Sequence, residues 1–318
     1  VTCGGIELLK LLFISTEDRA DPWRKALREE LPDLEFRLWP DEVGAREEID
    51  YALAWKPPAG ELRKYPNLKA ILSLGAGIDH LAADPELPIS VPVSRLVDRS
   101  LTAGMTEYVL YWVIHYHRNM GRYAKMMSEG IWEHIPQHDP RLRRVGVLGL
   151  GQLGGDAATK LTLLNYDVAG WSKSKKEMPG VQSFFGMDML PDFLARSDIL
   201  VCLLPITSMT KGIINSKNLA MLPKGAVLIN CARGAHVIDK DLIKALNSGQ
   251  LSGATLDVFH AEPLPHDHPY WVHPKIKLTP HMASLTVPQS AAAYIAENIR
   301  RVERGIPPLN TVNVQAGY

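Results

Sequence analysis

Short apolar runs, separated by polar stretches carrying Gly and Pro, set the pattern of this chain. The run Leu8-Leu9-Lys10-Leu11-Leu12-Phe13-Ile14 predicts a first buried strand. Residues 34–38, 51–55 and 70–74 predict three more; Pro57-Pro58 stops the third, and the fourth enters Gly75-Ala76-Gly77. Between the first two, Asp21-Pro22-Trp23 opens a helix, with Asp21 as its cap and Pro22 in its first turn. Strands alternating with helices predict a parallel α/β sheet.

The pattern then shifts. Residues 105–127 form one long helical stretch, broken near Gly121, with Tyr108, Tyr111, Trp112, His115 and Tyr116 interleaved. This reads as a connecting helix that also buries the surface of a partner. A second α/β unit starts at Val145, with further strands at 168–171, 199–204, 226–230, 253–257 and 276–279. The tail, 287–304, is a helix with Ala, Ile and Val on one face and Arg300, Arg301 and Arg304 on another. The first unit lacks a closing helix, so the tail is expected to return to it. Two Rossmann-like or flavodoxin-like parallel-sheet domains follow. Residues 105–282 are inserted between 1–104 and 283–318, and the two crossings leave a hinged cleft.

The most specific local signal is Val145-Gly-Val-Leu-Gly-Leu-Gly-Gln-Leu-Gly154, a buried strand entering a Gly149-x-Gly151-x-x-Gly154 turn and then a helix. In that context the first glycine permits the tight turn, the second lets a pyrophosphate approach the backbone, and the third packs helix on strand. Gln152 and Leu153 belong to the helix start, where free N–H groups and the dipole favour phosphates. Dinucleotide binding is the reading; a purely structural turn is the alternative. An NAD site would place Asp or Glu at the end of the next strand. Asp167 stands at its start instead, and the end reads Ser172-Lys173-Ser174-Lys175-Lys176. Hydroxyls and ammonium groups suit a 2′-phosphate, which predicts NADP(H) in preference to NAD(H), with NAD(H) possible.

Composition narrows the class. The 318 residues suit two domains, and 46% hydrophobic is ordinary for a globular protein. Lys+Arg and Asp+Glu are equal at 35 each, so no basic field points to nucleic acid or membrane. No apolar run reaches the length of a membrane span, and residues 1–10 read as a short leader without a signal-peptide pattern. Cys3, Cys202 and Cys231 show no CxxC spacing. The last two lie in apolar runs as reduced core residues, which favours the cytoplasm. His266-x-His268 lacks a matching Cys or His set, so no metal is expected. At the strand end, Gly75, Ala76 and Gly77 offer a nest of N–H groups for a carboxylate. Trp55, also at a strand end, shapes a pocket or belongs to the core, and Arg95 is a further candidate to bind substrate.

Three later segments each follow a predicted strand. They are Asn230-Cys231-Ala232-Arg233-Gly234, then Leu256-Asp257-Val258-Phe259-His260-Ala261-Glu262-Pro263-Leu264-Pro265, then Leu278-Thr279-Pro280-His281-Met282-Ala283. With the glycine turn, their order resembles the D-2-hydroxyacid dehydrogenase family over nearly the whole chain. Residues 73–79, Trp171-Ser172-Lys173-Ser174 and the ending Gly317-Tyr318 resemble its glyoxylate/hydroxypyruvate reductase A subgroup. The resemblance implies hydride transfer between a nicotinamide and C2 of a small 2-keto or 2-hydroxy acid, with Arg233, Glu262 and His281 as catalytic residues. It further implies that Asp257 reaches the nicotinamide side, that Leu204 and Pro205 line the cofactor groove, and that Cys231 and Ala232 present backbone to it. A homodimer through the helical region after Met105 is expected.

Residue chemistry agrees with these roles. Arg233 is always charged and forks onto two oxygens; by type alone it is equally a structural ion-pair partner. A histidine near neutrality gives and takes a proton, and Glu262 would orient His281 and favour its charged form. Nothing near Cys231 in sequence marks it as a nucleophile. Two other readings stay open: reduction of a different 2-keto acid, and a nucleotide-sensing protein of the corepressor kind that shares this fold.

Overall fold

The computed structural model describes residues 8–314. Cys3, residues 1–7 of the segment read as a leader, and the ending Gly317-Tyr318 lie outside the described residues. The chain forms two compact units, one from the chain up to Leu101 and from Thr286 on, the other spanning Thr102–Leu285.

In the first unit, β1 (Lys10–Ile14), β2 (Glu35–Leu38), β3 (Tyr51–Ala54), β4 (Ala70–Ser73) and β5 (Val93–Ser94) form one parallel sheet. Their order is β2-β1-β3-β4-β5, the flavodoxin-like arrangement. Leu11 and Phe13 face one side with Trp23, Leu27, Leu53 and Leu72; Leu12 and Ile14 face the other with Leu62, Ile71 and Leu81. Successive side chains of a strand alternate, so a sheet covered on both faces reads as a continuous apolar run. Helix α1 (Ala20–Glu30) supplies Trp23 and Leu27. Its cap is Arg19 rather than Asp21. Asp21 lies inside the first turn and acts there by its charge at the positive end of the dipole, not by a capping bond. A short helix, α2 (Asp79–Ala82), precedes β5, a two-residue strand that leaves no pattern in the sequence.

The second unit starts on α3 (Arg99–His117), followed by α4 (Met120–Ser128). The long helix is broken near Gly121 as expected, with the break itself at Asn119: Asn119 takes a left-handed φ of 55°, which asparagine tolerates better than most residues. Tyr108, Val109, Trp112 and Val113 face the core of this unit. Beyond them lie β6 (Arg144–Leu148), α5 (Gln152–Leu163), β7 (Asp167–Ser172), β8 (Val181–Phe185), α6 (Leu190–Ala195), β9 (Ile199–Cys202), α7 (Ser216–Leu219), β10 (Ala226–Asn230), α8 (Asp239–Asn247), β11 (Leu251–Leu256) and β12 (Ile276–Leu278). All seven strands are parallel, in the order β12-β11-β10-β9-β6-β7-β8. The sequence reading missed β8, an edge strand whose Gln182 and Phe185 are exposed, because half-wet edges lose the apolar run that marks central strands.

The tail forms α9 (Pro288–Glu303) and packs Ala291, Ala292, Ile295 and Ile299 into the core of the first unit with Trp23 and Leu27. This is the return of the tail that the sequence implied, so the second unit is inserted into the first. Tyr51 donates to Glu303 Oε1 at 2.5 Å and Lys69 Nζ lies 2.9 Å from the same oxygen, fastening the end of α9 to β3. Among the described residues, no helix is long and apolar enough to cross a membrane.

Candidate functional site

In the second unit the strand order reverses direction between β6 and β9, which is where doubly wound sheets bind ligands beyond their carboxyl ends. The glycine turn lies there. Gly149 has a φ of +99°, and a Cβ on it would stand 2.7 Å from the Leu203 carbonyl oxygen. At Gly154 a Cβ would stand 1.8 Å from the carbonyl oxygen of Gly149, so helix and turn meet backbone to backbone. Gly151, the N-cap of α5, faces open space: a Cβ would meet nothing within 4 Å. The first intrahelical bond runs from Gly155 N–H to Gly151 O, which leaves the N–H groups of Gln152, Leu153 and Gly154 without helical acceptors. An open cradle with unused donors fits a pyrophosphate.

The end of β7 lies beside this turn, on the neighbouring strand. Ser172 is buried and its hydroxyl donates to Ser174 O at 2.7 Å, shaping the turn. Lys173, Ser174 and Lys175 are exposed, and Lys175 Nζ lies 3.2 Å from Glu177. Asp167 pairs with Arg196 at the opposite end of the strand, at 2.6 Å. Leu204 is a core residue, so only its backbone and the exposed Pro205 are open at the end of β9.

Arg233 leaves the sheet after β10. Asn230, fully buried, accepts from Ala232 N–H and donates through Nδ2 to Arg233 O at 3.0 Å. His236, also fully buried, sets its ring nitrogens 3.1 Å from Arg233 O and 3.3 Å from Pro205 O. Arg233 Nη1 donates to Ala232 O at 2.7 Å. Cys231 and Ala232 are buried beneath this turn, and burial pushes the Cys231 thiol far above the usual range, an inert state for a cysteine.

Gly234 brings the next loop into contact: a Cβ there would lie 2.0 Å from the backbone carbon of Phe259. That loop carries Glu262. Phe259 N–H donates to Glu262 Oε1 at 3.0 Å, and Glu262 Oε2 lies 2.7 Å from His281 Nδ1. His281 Nε2 has no partner among the described residues, and the ring is about a third exposed at 35%. With Nδ1–H given to the carboxylate, Nε2 is the nitrogen left to meet a ligand. Asp257 is 1% exposed, and its carboxylate accepts from Thr279 Oγ1, Met282 N–H and Ala283 N–H. It therefore also builds the loop that holds His281.

In the first unit, Gly75 follows β4 and sits against the Trp55 ring, where a Cβ would lie 2.6 Å from Cζ3. The Gly75 N–H is used by Ser73 Oγ at 3.2 Å, so Ala76 and Gly77 hold the N–H groups still available in this loop. Trp55 Nε1 donates to Glu17 at 3.0 Å, and its ring stacks obliquely on His80 at 4.3 Å. Arg95 is half-buried, and its main chain is fixed by Asn310 and Tyr294. Asn230, His236, Thr279 and Tyr108 were not singled out as site residues from the sequence. A polar residue closing an apolar strand run, as Asn230 does, was the available signal for the first of them. Among the described residues no group of three or more His, Cys, Asp or Glu could hold a metal ion.

Fold and turn define a doubly wound, dinucleotide-binding α/β protein. A family model described as D-isomer specific 2-hydroxyacid dehydrogenase, NAD binding domain, matches residues 110–283. A glyoxylate/hydroxypyruvate reductase A from Serratia proteamaculans is 40% identical over 315 residues, covering 98% of this chain and 100% of that one. One from Klebsiella pneumoniae is 41% identical, covering 93% and 96%. Among solved structures, a D-isomer specific 2-hydroxyacid dehydrogenase from Xanthobacter autotrophicus Py2 in complex with NADPH and MES superposes with a TM-score of 0.94. It is 44% identical, covering 97% of this chain and 99% of that one. An NADPH-dependent glyoxylate/hydroxypyruvate reductase from Sinorhizobium meliloti, in complex with NADP and sulfate, gives a TM-score of 0.91 at 34% identity, covering 97% and 100%. The chain belongs to the D-isomer specific 2-hydroxyacid dehydrogenase family.

Proposed function

We propose that this protein reduces glyoxylate to glycolate and hydroxypyruvate to D-glycerate, using NADPH in preference to NADH. Family membership makes it an NAD(P)-dependent oxidoreductase; the similar proteins named above supply the substrate class. The observation that carries the reading is the 2.7 Å pair between His281 Nδ1 and Glu262, on a loop seated against the turn of Arg233. The glycine turn would hold the pyrophosphate through the N–H groups of Gln152, Leu153 and Gly154. Ser174, Lys173 and Lys175 would meet the 2′-phosphate. The backbone of Leu204, Pro205, Cys231 and Ala232, with Asp257, would border the nicotinamide half. When bound, the reduced nicotinamide supplies the hydride.

The protein's own residues do the rest. Arg233 forks onto the substrate carboxylate and carbonyl, drawing electron density from C2. His281 gives its Nε2 proton to the carbonyl oxygen as that oxygen gains charge, and Glu262 stabilises the imidazolium beforehand. In the reverse direction the same nitrogen takes the proton from the hydroxyl. Ala76 and Gly77 are assigned to the carboxylate, with Gly75 shaping their loop, Trp55 lining it, and Arg95 as a further cation. The first unit is accordingly the substrate-binding domain and the second the cofactor domain.

Replacing His281 by Asn tests this directly. Turnover of glyoxylate with NADPH should nearly vanish while NADPH affinity is retained. Retained turnover, or loss of cofactor binding instead, would refute the assignment. Absence of NADPH oxidation by the native protein across a panel of 2-keto acids would favour the nucleotide-sensing alternative. We assign a homodimer through α3 and the segment after it, where Tyr111, Ile114 and Trp132 are 58%, 39% and 85% exposed. Replacing Trp132 by Asp should then yield monomers in analytical ultracentrifugation. The buried free thiols Cys202 and Cys231 suit a reducing cytoplasm.

A further inference from the structure

His281 is one of the few side-chain-bearing residues with a left-handed backbone, at φ 50°. L residues other than glycine avoid this region unless their surroundings impose it. Asp257 imposes it from two directions. Its carbonyl accepts the His281 N–H at 2.8 Å, and its carboxylate accepts the next two N–H groups, of Met282 and Ala283, at 2.9 Å each. Thr279 lies on the other flank of His281, with its hydroxyl 2.6 Å from Asp257 Oδ1 and 2.6 Å from the hydroxyl of Tyr108. The single proton of Thr279 must go to the carboxylate, which cannot donate. Tyr108 is therefore the donor to Thr279. The direction is set: Tyr108 to Thr279 to Asp257. Burial keeps the Tyr108 hydroxyl protonated, holding its ionisation well above the usual range.

We propose that Tyr108 is a positioning residue for the reaction: through Thr279 and Asp257, its hydroxyl holds His281 in the left-handed conformation that presents Nδ1 to Glu262. The inference rests on His281 being the proton donor. The structure also holds its own control. Tyr116, on the same helix α3, makes an equivalent bond with Thr255 Oγ1 at 2.8 Å. Thr255 lies within strand β11, not on the His281 loop. Removing either tyrosine hydroxyl breaks one tyrosine–threonine bond made by α3, but only that of Tyr108 reaches the histidine loop.

Tyr108→Phe should lower kcat for glyoxylate reduction roughly tenfold, the scale of one displaced hydrogen bond. NADPH affinity should change less than about twofold on the same scale, and the pH profile of kcat/KM should move. Tyr116→Phe should match Tyr108→Phe in loss of Tm yet keep kcat and the pH profile. Thr279→Val should repeat the Tyr108→Phe result, Thr279→Ser should restore activity, and the double variant Tyr108→Phe/Thr279→Val should be no worse than either single one. Equal kcat for the two tyrosine variants would overturn the proposal, as would a kcat loss matched by lost NADPH affinity. If His281→Asn is inactive while Tyr108→Phe behaves like Tyr116→Phe, the positioning role alone fails. If His281→Asn still turns over, the assigned chemistry fails with it.

Discussion

Cofactor choice offers a quantitative test at the end of β7. Lys173 and Lys175 are exposed, and the side chains of Lys175 and its partner Glu177 are 62% and 85% exposed. Such a surface pair is worth less than about 1 kcal/mol, so Lys175 can exchange Glu177 for a phosphate at small cost. Unit charges about 4 Å apart interact by about 1 kcal/mol in water and about 4 kcal/mol at an effective dielectric near 20. Exposure puts each lysine near the lower figure, so the two together contribute about 2 kcal/mol, or roughly 30-fold in affinity. Lys173→Ala/Lys175→Ala should therefore raise KM for NADPH by roughly 30-fold. KM for NADH should change less than about twofold, because NADH lacks the 2′-phosphate. Initial rates followed at the reduced-nicotinamide absorbance, with glyoxylate saturating, measure both. Added salt should narrow the native preference, since exposed charges are screened. Ser172 is unsuitable for this test, because its hydroxyl holds the Ser174 carbonyl and its loss would deform the turn. Equal increases for the two cofactors would refute the 2′-phosphate assignment.

Two further outcomes follow from the geometry. Gly154→Ala would place a methyl 1.8 Å from the Gly149 carbonyl oxygen. Backbone must shift, which should cost about 1–3 kcal/mol in stability and more than about tenfold in NADPH affinity; unchanged cofactor titration and Tm would contradict it. Burial pushes the Glu303 carboxyl up, but bonds from the Tyr51 hydroxyl and Lys69 outweigh it and leave the group below its usual range. A depressed carboxylate contributes its stability fully above the unfolded value of about 4.3 and loses it as pH falls through the folded value. Glu303→Gln should thus lower Tm at neutral pH by the equivalent of about 1 kcal/mol, discounted for exposure. The gap to the native protein should close below about pH 4. A gap that widens in acid would exclude this role.

Much of the architecture was legible because the physics of a parallel sheet is written in local apolar runs. Leu11 to Ile14 and Ala226 to Ile229 are apolar at every position since both sheet faces are covered. The insertion was legible from a deficit: a first sheet with too few helices demands α9. Where only one face or one edge is covered, the signal faded, and β8 with its exposed Gln182 was lost. The cap of α1 was misassigned for a different reason. Asp21 is a good cap by type, but Arg19 has the extended backbone from which the helix starts, and backbone geometry outranks side-chain preference.

The candidate site divides along the same line. Its glycines were readable because they answer to sterics that only glycine satisfies. Its supports were not. Asn119 and His281 both adopt left-handed backbone, and outside glycine, and asparagine to a lesser degree, a residue's identity does little to announce that conformation. At Asn119 the consequence is the break between α3 and α4, close to Gly121. At His281 it concerns the proposed chemistry, because the backbone of that residue is held by bonds its loop donates to Asp257 and Thr279, and Thr279 is met by Tyr108, which lies 173 positions earlier in the chain. A motif names the groups that meet the substrate. The groups that hold them at the right angle come from other elements, and only the folded chain brings them together.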